Sequence, residues 1–294
     1  MRRFVLFILT FTAIVILAVT LPRVDFSSGN VAAAQLPSNW HSGDCNDTGH
    51  HWGQWGDAQL CQMRRTVFAI PSDHLSLTTE NGGIDVTGED RTDVALEARV
   101  RVWAPTAAQA TDLLNRIVID TANGDIRDHG PHQSFFGRSG YSIDYTLHVP
   151  QHVAADLQTE NGGIDLTRLN GQLHFATTNG GVHLDQLAGD VQGHTVNGGL
   201  NITLAGDRWQ GEGLNASTTN GGIDLRMPDH YSAHLETATV NGGISVNFPI
   251  TIQGEIKNRL DTNIGGGGPT IHAETVNGGV SIHRIDGSDE PTSD

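Results

Sequence analysis

Three aspartates occupy the same position of a repeated motif. Asp85, Asp165 and Asp224 each follow an Asn-Gly-Gly tripeptide and one aliphatic residue. If the repeats stack, these carboxylates form a column that could bind Ca²⁺ through several oxygen ligands or supply the acid and base that cleave a polysaccharide. The other copies carry different polar residues there: His183, Asn201, Ser245 and Ser281. Because any polar residue is accepted, we interpret the position as solvent-facing and predict neither a metal ion nor a catalytic residue there.

A second set of candidate ligands lies close together in the N-terminal part of the chain: His41, Asp44, Asp47, His50 and His51. Imidazole and carboxylate groups bind zinc and copper. The spacing, however, matches no metal-site motif. We therefore interpret this segment as a polar loop and predict no bound metal.

Other motifs of catalysis and cofactor binding are missing from the sequence. It contains no G-x-S-x-G, no Walker motif, no H-E-x-x-H and no G-x-G-x-x-G after a strand. The glycine run 265–268 precedes a strand-like segment rather than a helix, which indicates a turn and not a phosphate site. We therefore predict no catalytic and no cofactor-binding residues, and a protein that is not an enzyme.

The motif Thr-x-Asn-Gly-Gly-aliphatic-x-aliphatic occurs seven times and dominates the sequence. Its asparagines are Asn81, Asn161, Asn179, Asn197, Asn220, Asn241 and Asn277. Asn tolerates positive φ angles and Gly adopts them without steric cost, so the tripeptide predicts a sharp corner. The two aliphatic residues flank one polar residue, and this alternation predicts a half-buried strand.

Two folds fit this pattern, and the spacing of the copies helps to choose between them. From the second copy onward the asparagines are 18, 18, 23, 21 and 36 residues apart. Such periods favour a solenoid, and the step of 36 could hold two coils. We predict an all-β fold, a β-solenoid or β-helix-like stack of coils with Asn-Gly-Gly corners, in which Asn and Thr columns form hydrogen-bonding ladders. A hairpin-rich sandwich or meander is the alternative.

The remaining chain divides around the repeats, which we place at residues 67–286. Residues 88–154 form an insertion with its own α+β element, in which Pro105 to Ile117 predicts one short amphipathic helix. Residues 35–66 show no strand pattern and predict a disulfide-tied loop that caps the repeats. Residues 287–294 form an acidic tail that we expect to be disordered.

Residues 1–34 indicate export from the cytoplasm. Arg2 and Arg3 precede an uncharged run of 18 residues, 4–21, and Ala32-Ala33-Ala34 offers a cleavage site. Such a segment is a signal peptide or an N-terminal membrane anchor, and the length of the run favours the anchor. In both cases we expect the remainder in the periplasm or at the cell surface.

The cysteine content and the charge agree with an exported, acidic protein. Cys45 and Cys61 are the only two cysteines, and in an oxidising compartment an isolated pair predicts one disulfide. The net charge of −16 argues against a nucleic-acid partner.

The copies TENGGIDV, TTNGGVHL and TVNGGISV, and the Gly-rich turn before a final TVNGGVSI, resemble the bacterial putative adhesin family of unknown function, envelope proteins with repeated β-strands. The resemblance covers residues 66–285. It implies surface association and supplies no catalytic residue. We predict a non-enzymatic cell-envelope protein whose rigid β surface binds an envelope protein or a glycan. A polysaccharide-active β-helix enzyme (a lyase or glycosidase) and an envelope-stress or structural module are the alternatives.

Overall fold

The computed structural model describes residues 40–45, 57–70, 74–131, 138–247 and 258–285. Within these ranges the chain is mostly β-structure, with an α-helix, α1 (Ala107–Arg116), and a short 3-10 helix (Ala122–Gly124). The strands are β1 (His41–Asp44), β2 (Ala58–Phe68), β3 (His74–Asn81), β4 (Ile84–Glu89), β5 (Val94–Ala104), β6 (Val118–Asp120), β7 (Asp125–His129), β8 (Gly140–Pro150), β9 (Ala154–Asn161), β10 (Ile164–Thr167), β11 (Asn170–Asn179), β12 (Val182–Asp185), β13 (Ala188–Asn197), β14 (Leu200–Thr203), β15 (Gly213–Asn220), β16 (Ile223–Met227), β17 (Ala233–Asn241), β18 (Ile244–Asn247), β19 (Arg259–Ile264), β20 (Thr270–Asn277) and β21 (Val280–Arg284).

Each copy of the motif forms the corner between two strands. One strand ends at the asparagine and the next begins after the second glycine, as β9 and β10 do around Asn161. We call each such pair a coil. The coils are β3/β4, β9/β10, β11/β12, β13/β14, β15/β16, β17/β18 and β20/β21. The aliphatic residues after the corner are buried in six coils, for example Ile164 and Leu166, and partly buried in the coil β17/β18, which confirms the predicted alternation.

The two strands of a coil lie in different sheets that enclose an apolar core between them. Sheet A has the order β1-β2-β5-β8-β4-β10-β12-β14-β16-β21-β18, and sheet B has the order β19-β17-β20-β15-β13-β11-β9-β3-β7-β6. Neighbouring coils pair in parallel and in register, so that Asn161 lies beside Asn179 and Ile164 beside Val182. The predicted all-β, β-solenoid-like stack is confirmed. The hairpin alternative is wrong, because the corner joins strands of different sheets.

The coils do not stack in chain order at the C-terminal end. The seventh coil, β20/β21, lies between the fifth, β15/β16, and the sixth, β17/β18. In its described residues, the step of 36 residues holds no second coil. It contains β18, residues 248–257 outside the described ranges, and β19, which pairs antiparallel with β17 at the end of sheet B. All coils pair with their neighbours in the same register. The segment that forms β20/β21 can therefore pair with a coil on each of its two sides.

The insertion between the first two coils covers the other end of the stack. β8 pairs in parallel with β4, β5 pairs antiparallel with β8, and β7 pairs in parallel with β3. The helix α1 packs on β5 and β2 through Ala110 and Leu113. It begins after Thr106, whose hydroxyl accepts from the N–H of Gln109 at 3.3 Å. The predicted helix is thus present, and Pro105 precedes its N-cap instead of opening the helix.

Strands β1 and β2 fall mainly in the segment 35–66, for which the sequence predicts a loop. In the described part of this segment that prediction is wrong, because β2 pairs antiparallel with β5 along its whole length and β1 pairs with β2. The strand pattern is hidden because Arg64 takes a buried position, 3% exposed. Its guanidinium donates to the carbonyl oxygens of Ile117 at 2.6 Å and Leu114 at 2.9 Å, at the C-terminal end of α1.

The two end segments of the sequence lie outside the described ranges. Among the residues that the structure does describe, no helix is long and apolar enough to cross a membrane. The predicted signal peptide or anchor at 1–34 and the predicted tail at 287–294 stay predictions, as do the domain boundaries.

Candidate functional site

The seven motif asparagines form a continuous hydrogen-bonded ladder along one edge of the stack. In each step the side-chain amide of one asparagine donates to Oδ1 of the next coil's asparagine, at 2.8 to 3.0 Å. The order is Asn81, Asn161, Asn179, Asn197, Asn220, Asn277 and Asn241. The predicted ladder is confirmed. Because these amides bond one another, the ladder stabilises the stack and is not by itself a ligand site.

The motif threonines have a different role from the predicted Thr ladder. Each is buried, and six of them donate to the carbonyl oxygen of the first motif glycine in a neighbouring coil. Thr177 Oγ1, for example, lies 2.8 Å from the carbonyl oxygen of Gly162, and Thr195 Oγ1 lies 2.8 Å from that of Gly180. The threonines therefore satisfy backbone acceptors at the corner that would otherwise be buried without a partner.

The motif glycines are required by close packing rather than by positive φ. Among the described residues with positive φ there is no motif asparagine, and Gly82 is the only motif glycine. A Cβ on Gly180 would overlap the carbonyl oxygen of Gly162 in the neighbouring coil. The second glycine has more room, since a Cβ on Gly181 would lie 3.6 Å from the carbonyl oxygen of Gly199. The predicted cause of the corner is thus wrong for most copies, although the corner itself is present.

The polar residues between the motif aliphatics form one straight column on the outward face of sheet A. We call this set the outward column. In spatial order it consists of Asp85, Asp165, His183, Asn201, Asp224, Ser281 and Ser245. The three aspartates do not gather in one place, because Asp224 is separated from Asp165 by His183 and Asn201. The structure therefore brings the residues of this column into line without bringing the aspartates together.

Burial raises the pKa of three aspartates on this face. For Asp85, partial burial is the main cause, and the negative charge of Asp165 in the next coil adds to it. Burial likewise raises the pKa of Asp165 and of Asp185. These carboxyl groups hold a proton to a higher pH than a free aspartate does.

An open depression lies on the same face. It is lined by His183, Asp185, Asn201, Thr203, Asp224 and Arg226, together with two aliphatic neighbours. Asp224 accepts from Nε of Arg226 at 3.0 Å, so its charge is compensated within one strand. The side chain of His183 is 59% exposed. The depression presents donors and acceptors to a polar molecule but leaves that molecule in contact with water, whereas catalytic sites generally exclude water.

The outward face of sheet B places histidines beside carboxylates at two points. Asp156 lies between His74, whose Nε2 is 2.9 Å from Oδ2, and His174, whose Nδ1 is 2.8 Å from Oδ1. Towards the C-terminal end of the stack a second group brings together His234, Glu236, Asp261 and His272.

This face is missed when the sequence is read motif by motif. Asp156, His174, Glu236 and His272 each stand five residues before a motif asparagine, so they form one row in the stack. Comparing that offset across the copies would have found the row. Asp261 lies on β19, outside the motif, and only the fold brings it beside Glu236.

The predicted disulfide is confirmed, since Cys45 and Cys61 are bonded and tie the end of β1 to β2. Of the candidate ligands around Cys45, His41 is exposed on β1. Asp47, His50 and His51 lie outside the described residues, as does the side chain of Asp44. The expectation that this segment binds no metal therefore stays a prediction.

Comparison with known proteins gives a family and several similar structures. A family model described as Toastrack DUF4097 matches residues 63–283. A putative cell adhesion protein from Clostridium sporogenes is 12% identical over 78% of this chain and 100% of its own, with a TM-score of 0.41. A putative adhesin from Bacteroides fragilis is 13% identical over 76% and 97%, with a TM-score of 0.31. A putative lipid binding protein from Parabacteroides distasonis is 10% identical over 80% and 98%, with a TM-score of 0.28. The search of curated proteins found no match.

Proposed function

Because the chain belongs to the Toastrack DUF4097 family over residues 63–283, we propose that it is a non-enzymatic cell-envelope protein whose rigid β surface binds an envelope protein or a glycan. The observation that carries this proposal is the outward column of sheet A. Seven coils place one polar side chain each at the same position, in unbroken parallel register. Neighbouring strands lie about 4.8 Å apart, so the column presents a regular row of donors and acceptors.

The stack is well suited to hold such a row in place. The asparagine ladder runs along its edge, and the threonine hydroxyls fix the backbone at each corner. A surface that is already ordered loses little conformational entropy when it binds, and this increases affinity without additional contacts.

The chemistry of the outward column favours a neutral or cationic polar partner. Aspartate, asparagine, serine and histidine side chains hydrogen-bond to the hydroxyl groups of a glycan or to the polar groups of a protein. The net charge of −16 opposes an anionic partner such as nucleic acid.

We also propose that the repeats lie outside the cytoplasm, in the periplasm or at the cell surface. The disulfide between Cys45 and Cys61 supports this location, since structural disulfides persist in oxidising compartments. Export would depend on residues 1–34, as a signal peptide or as an anchor in the inner membrane. Fractionation of cells tests this proposal, and recovery of the intact chain from the cytosol with reduced cysteines would contradict it.

The binding proposal is tested with the full-length chain in nanodiscs, presented to glycan and protein fractions of the cell envelope. One variant replaces three residues of the outward column, Asp165, Asn201 and Asp224, by alanine. We expect this variant to bind the molecule captured by the parent chain at least about tenfold more weakly. Each lost hydrogen bond contributes about 0.5–1.5 kcal/mol to binding.

A matched control variant carries three alanine substitutions on the opposite face of the same coils, at Asp156, Gln192 and Asn215. We expect this control to keep the parental affinity. Equal loss of binding in both variants, or no loss in the variant of sheet A, would show that the outward column is not the binding surface.

The open depression gives a specific reason to test the enzymatic alternative. Asp185, Asp224 and Arg226 lie around it, and a lyase or glycosidase would require carboxyl groups at its site. Cleavage of an envelope polysaccharide by the parent chain, lost on Asp224→Asn substitution, would favour an enzyme over the binding protein proposed here.

A further inference from the structure

The second histidine–carboxylate group on sheet B has the geometry of a metal site, and it lies on the face opposite the outward column. Three atoms converge there: Nε2 of His234, Oε1 of Glu236 and Oδ1 of Asp261. His234 and Glu236 are on β17, and Asp261 is on the antiparallel edge strand β19, directly opposite Glu236. Two strands thus contribute ligands to one point on the surface.

The spacing of these atoms fits a shared metal ion as well as it fits the hydrogen bond between His234 and Glu236. Nε2 of His234 lies 3.3 Å from Oε1 of Glu236 and 3.5 Å from Oδ1 of Asp261. Bonds of about 2.0–2.2 Å from a tetrahedral zinc ion to nitrogen and oxygen place two ligand atoms about 3.3–3.5 Å apart. A charged hydrogen bond between nitrogen and oxygen is shorter, about 2.7–2.9 Å.

The same sheet contains an internal comparison for that spacing. Asp156 accepts from His74 and His174 at 2.9 and 2.8 Å, which are hydrogen-bond distances. Its two oxygens each accept from a different histidine. The Asp156 group is therefore a hydrogen-bonded triad, whereas His234 faces two carboxylates at longer distance.

Neighbouring side chains hydrogen-bond to two of the ligands and orient them, as is common in metal proteins. Nδ1 of His234 lies 3.1 Å from Oδ1 of Asn263, so a ring that binds an ion through Nε2 keeps its proton on Nδ1 and donates it to Asn263. The ion then takes the place of a proton between Nε2 and the carboxylates. Oε2 of Glu236 accepts from Nδ1 of His272 at 3.2 Å, which leaves Oε1 turned towards His234.

From this geometry we propose that His234, Glu236 and Asp261 bind a divalent first-row transition metal ion, with zinc as the best match. A neutral imidazole and two carboxylates carry a charge of −2, which the ion neutralises. Imidazole favours zinc over magnesium or calcium. All three ligands are partly exposed, so water completes the coordination. The ion ties the edge strand β19 to β17, and this site does not depend on the proposed binding role of sheet A.

The test is a calorimetric titration of ZnCl₂ into the full-length chain, purified without a histidine tag and freed of metal with a chelator. We expect one saturable site per chain and a higher temperature of unfolding in the presence of zinc, because an ion that binds only the folded state stabilises it. The variants Glu236→Gln and Asp261→Asn keep the size of the side chain and remove its charge. Each is expected to weaken zinc binding at least about tenfold, and Asn263→Ala is expected to weaken it about tenfold through the orientation of His234.

Asp156→Asn is the matched control, because it removes a carboxylate between two histidines on the same face of sheet B. We expect it to keep the affinity of the parent chain for zinc. The proposal is overturned if the parent chain binds no zinc in a saturable manner, if Glu236→Gln and Asp261→Asn bind it as tightly as the parent chain, or if Asp156→Asn alone abolishes binding. Circular dichroism of each variant shows that a lost site is not a lost fold.

Discussion

The side-chain amide of Asn179 donates to Oδ1 of Asn161 at 2.8 Å, and this contact is repeated between every pair of adjacent coils. Asn179 also accepts from Asn197, at 2.9 Å, so it takes part in two bonds of the ladder. Among the described residues, the side chain of Asn241, at the end of the ladder, bonds only to Asn277. The two positions therefore separate the contribution of one ladder bond from that of two.

We predict that Asn179→Ala destabilises the protein about twice as much as Asn241→Ala. A net hydrogen bond contributes about 0.5–1.5 kcal/mol, so we expect a loss in the free energy of unfolding of about 1–2 kcal/mol for Asn179→Ala and about half of that for Asn241→Ala. Urea unfolding followed by circular dichroism measures both. Equal losses at the two positions would show that the ladder contributes no stability beyond each single side chain.

The two glycines of one corner provide a second test. Gly180→Ala places a methyl group against the backbone carbonyl of Gly162, which cannot move without separating the coils. We expect a loss of about 3 kcal/mol or more, as for severe overpacking. At Gly181 the added carbon would lie 3.6 Å from its nearest neighbour, an ordinary contact.

Gly181→Ala is accordingly the control, and we expect its free energy of unfolding to lie within about 1 kcal/mol of the parent value. The experiment distinguishes close packing from backbone conformation as the reason why the first position of the Gly-Gly pair requires glycine. If positive φ angles were the cause, the two substitutions would not differ in this way.

The sequence alone predicts the strands of the coils because the required information is local. Alternating aliphatic residues such as Ile164 and Leu166 must face the core, and the repeated corner sets the length of each strand. The order of the coils is not local. β20/β21 carries the same motif as β17/β18, so the motif alone cannot indicate which of the two coils pairs with β15/β16; in the structure it is β20/β21.

The candidate sites also include one that the local sequence predicts and one that it does not. The outward column follows directly from the motif, since Asp165 and His183 hold equivalent positions in neighbouring copies. The proposed zinc ligands could not be predicted, because Asp261 lies outside the repeat and reaches Glu236 only through the antiparallel pairing of β19. The burial of Arg64 could not be predicted either, because its partners are backbone carbonyl oxygens at the C-terminal end of α1.

Arg64 leads to a third prediction, on the stability of the N-terminal end of the stack. Arg64→Met removes the donors to the carbonyl oxygens of Ile117 and Leu114. We expect a loss of about 2–4 kcal/mol, because buried acceptors are left without a partner. Arg65→Met is the control. Arg65 is 54% exposed and pairs with Glu97 at the surface, and such a pair contributes about 0–1 kcal/mol. Thermal or urea unfolding of both variants gives the comparison.

The fourth prediction concerns pH and the carboxyl group of Asp128. Its oxygens accept from the hydroxyl groups of Tyr141 at 3.2 Å and Tyr145 at 3.4 Å. Burial raises the pKa of Asp128 above its ordinary value of 3.8, although these hydrogen bonds oppose the shift. The folded state therefore binds a proton more tightly than the unfolded state. As the pH rises from 3.8 through the raised pKa, the contribution of Asp128 to stability falls.

Asp128→Asn removes this titration and keeps an oxygen that accepts from the tyrosines. We therefore expect the free energy of unfolding of the variant, relative to that of the parent chain, to increase as the pH rises through this window. Urea unfolding at a series of pH values measures the difference, and Asp112→Asn, on the exposed side of α1, corrects for the loss of a surface carboxylate. A relative stability that decreases with pH would mean that the folded state favours the ionised form of Asp128, contrary to the effect of its burial.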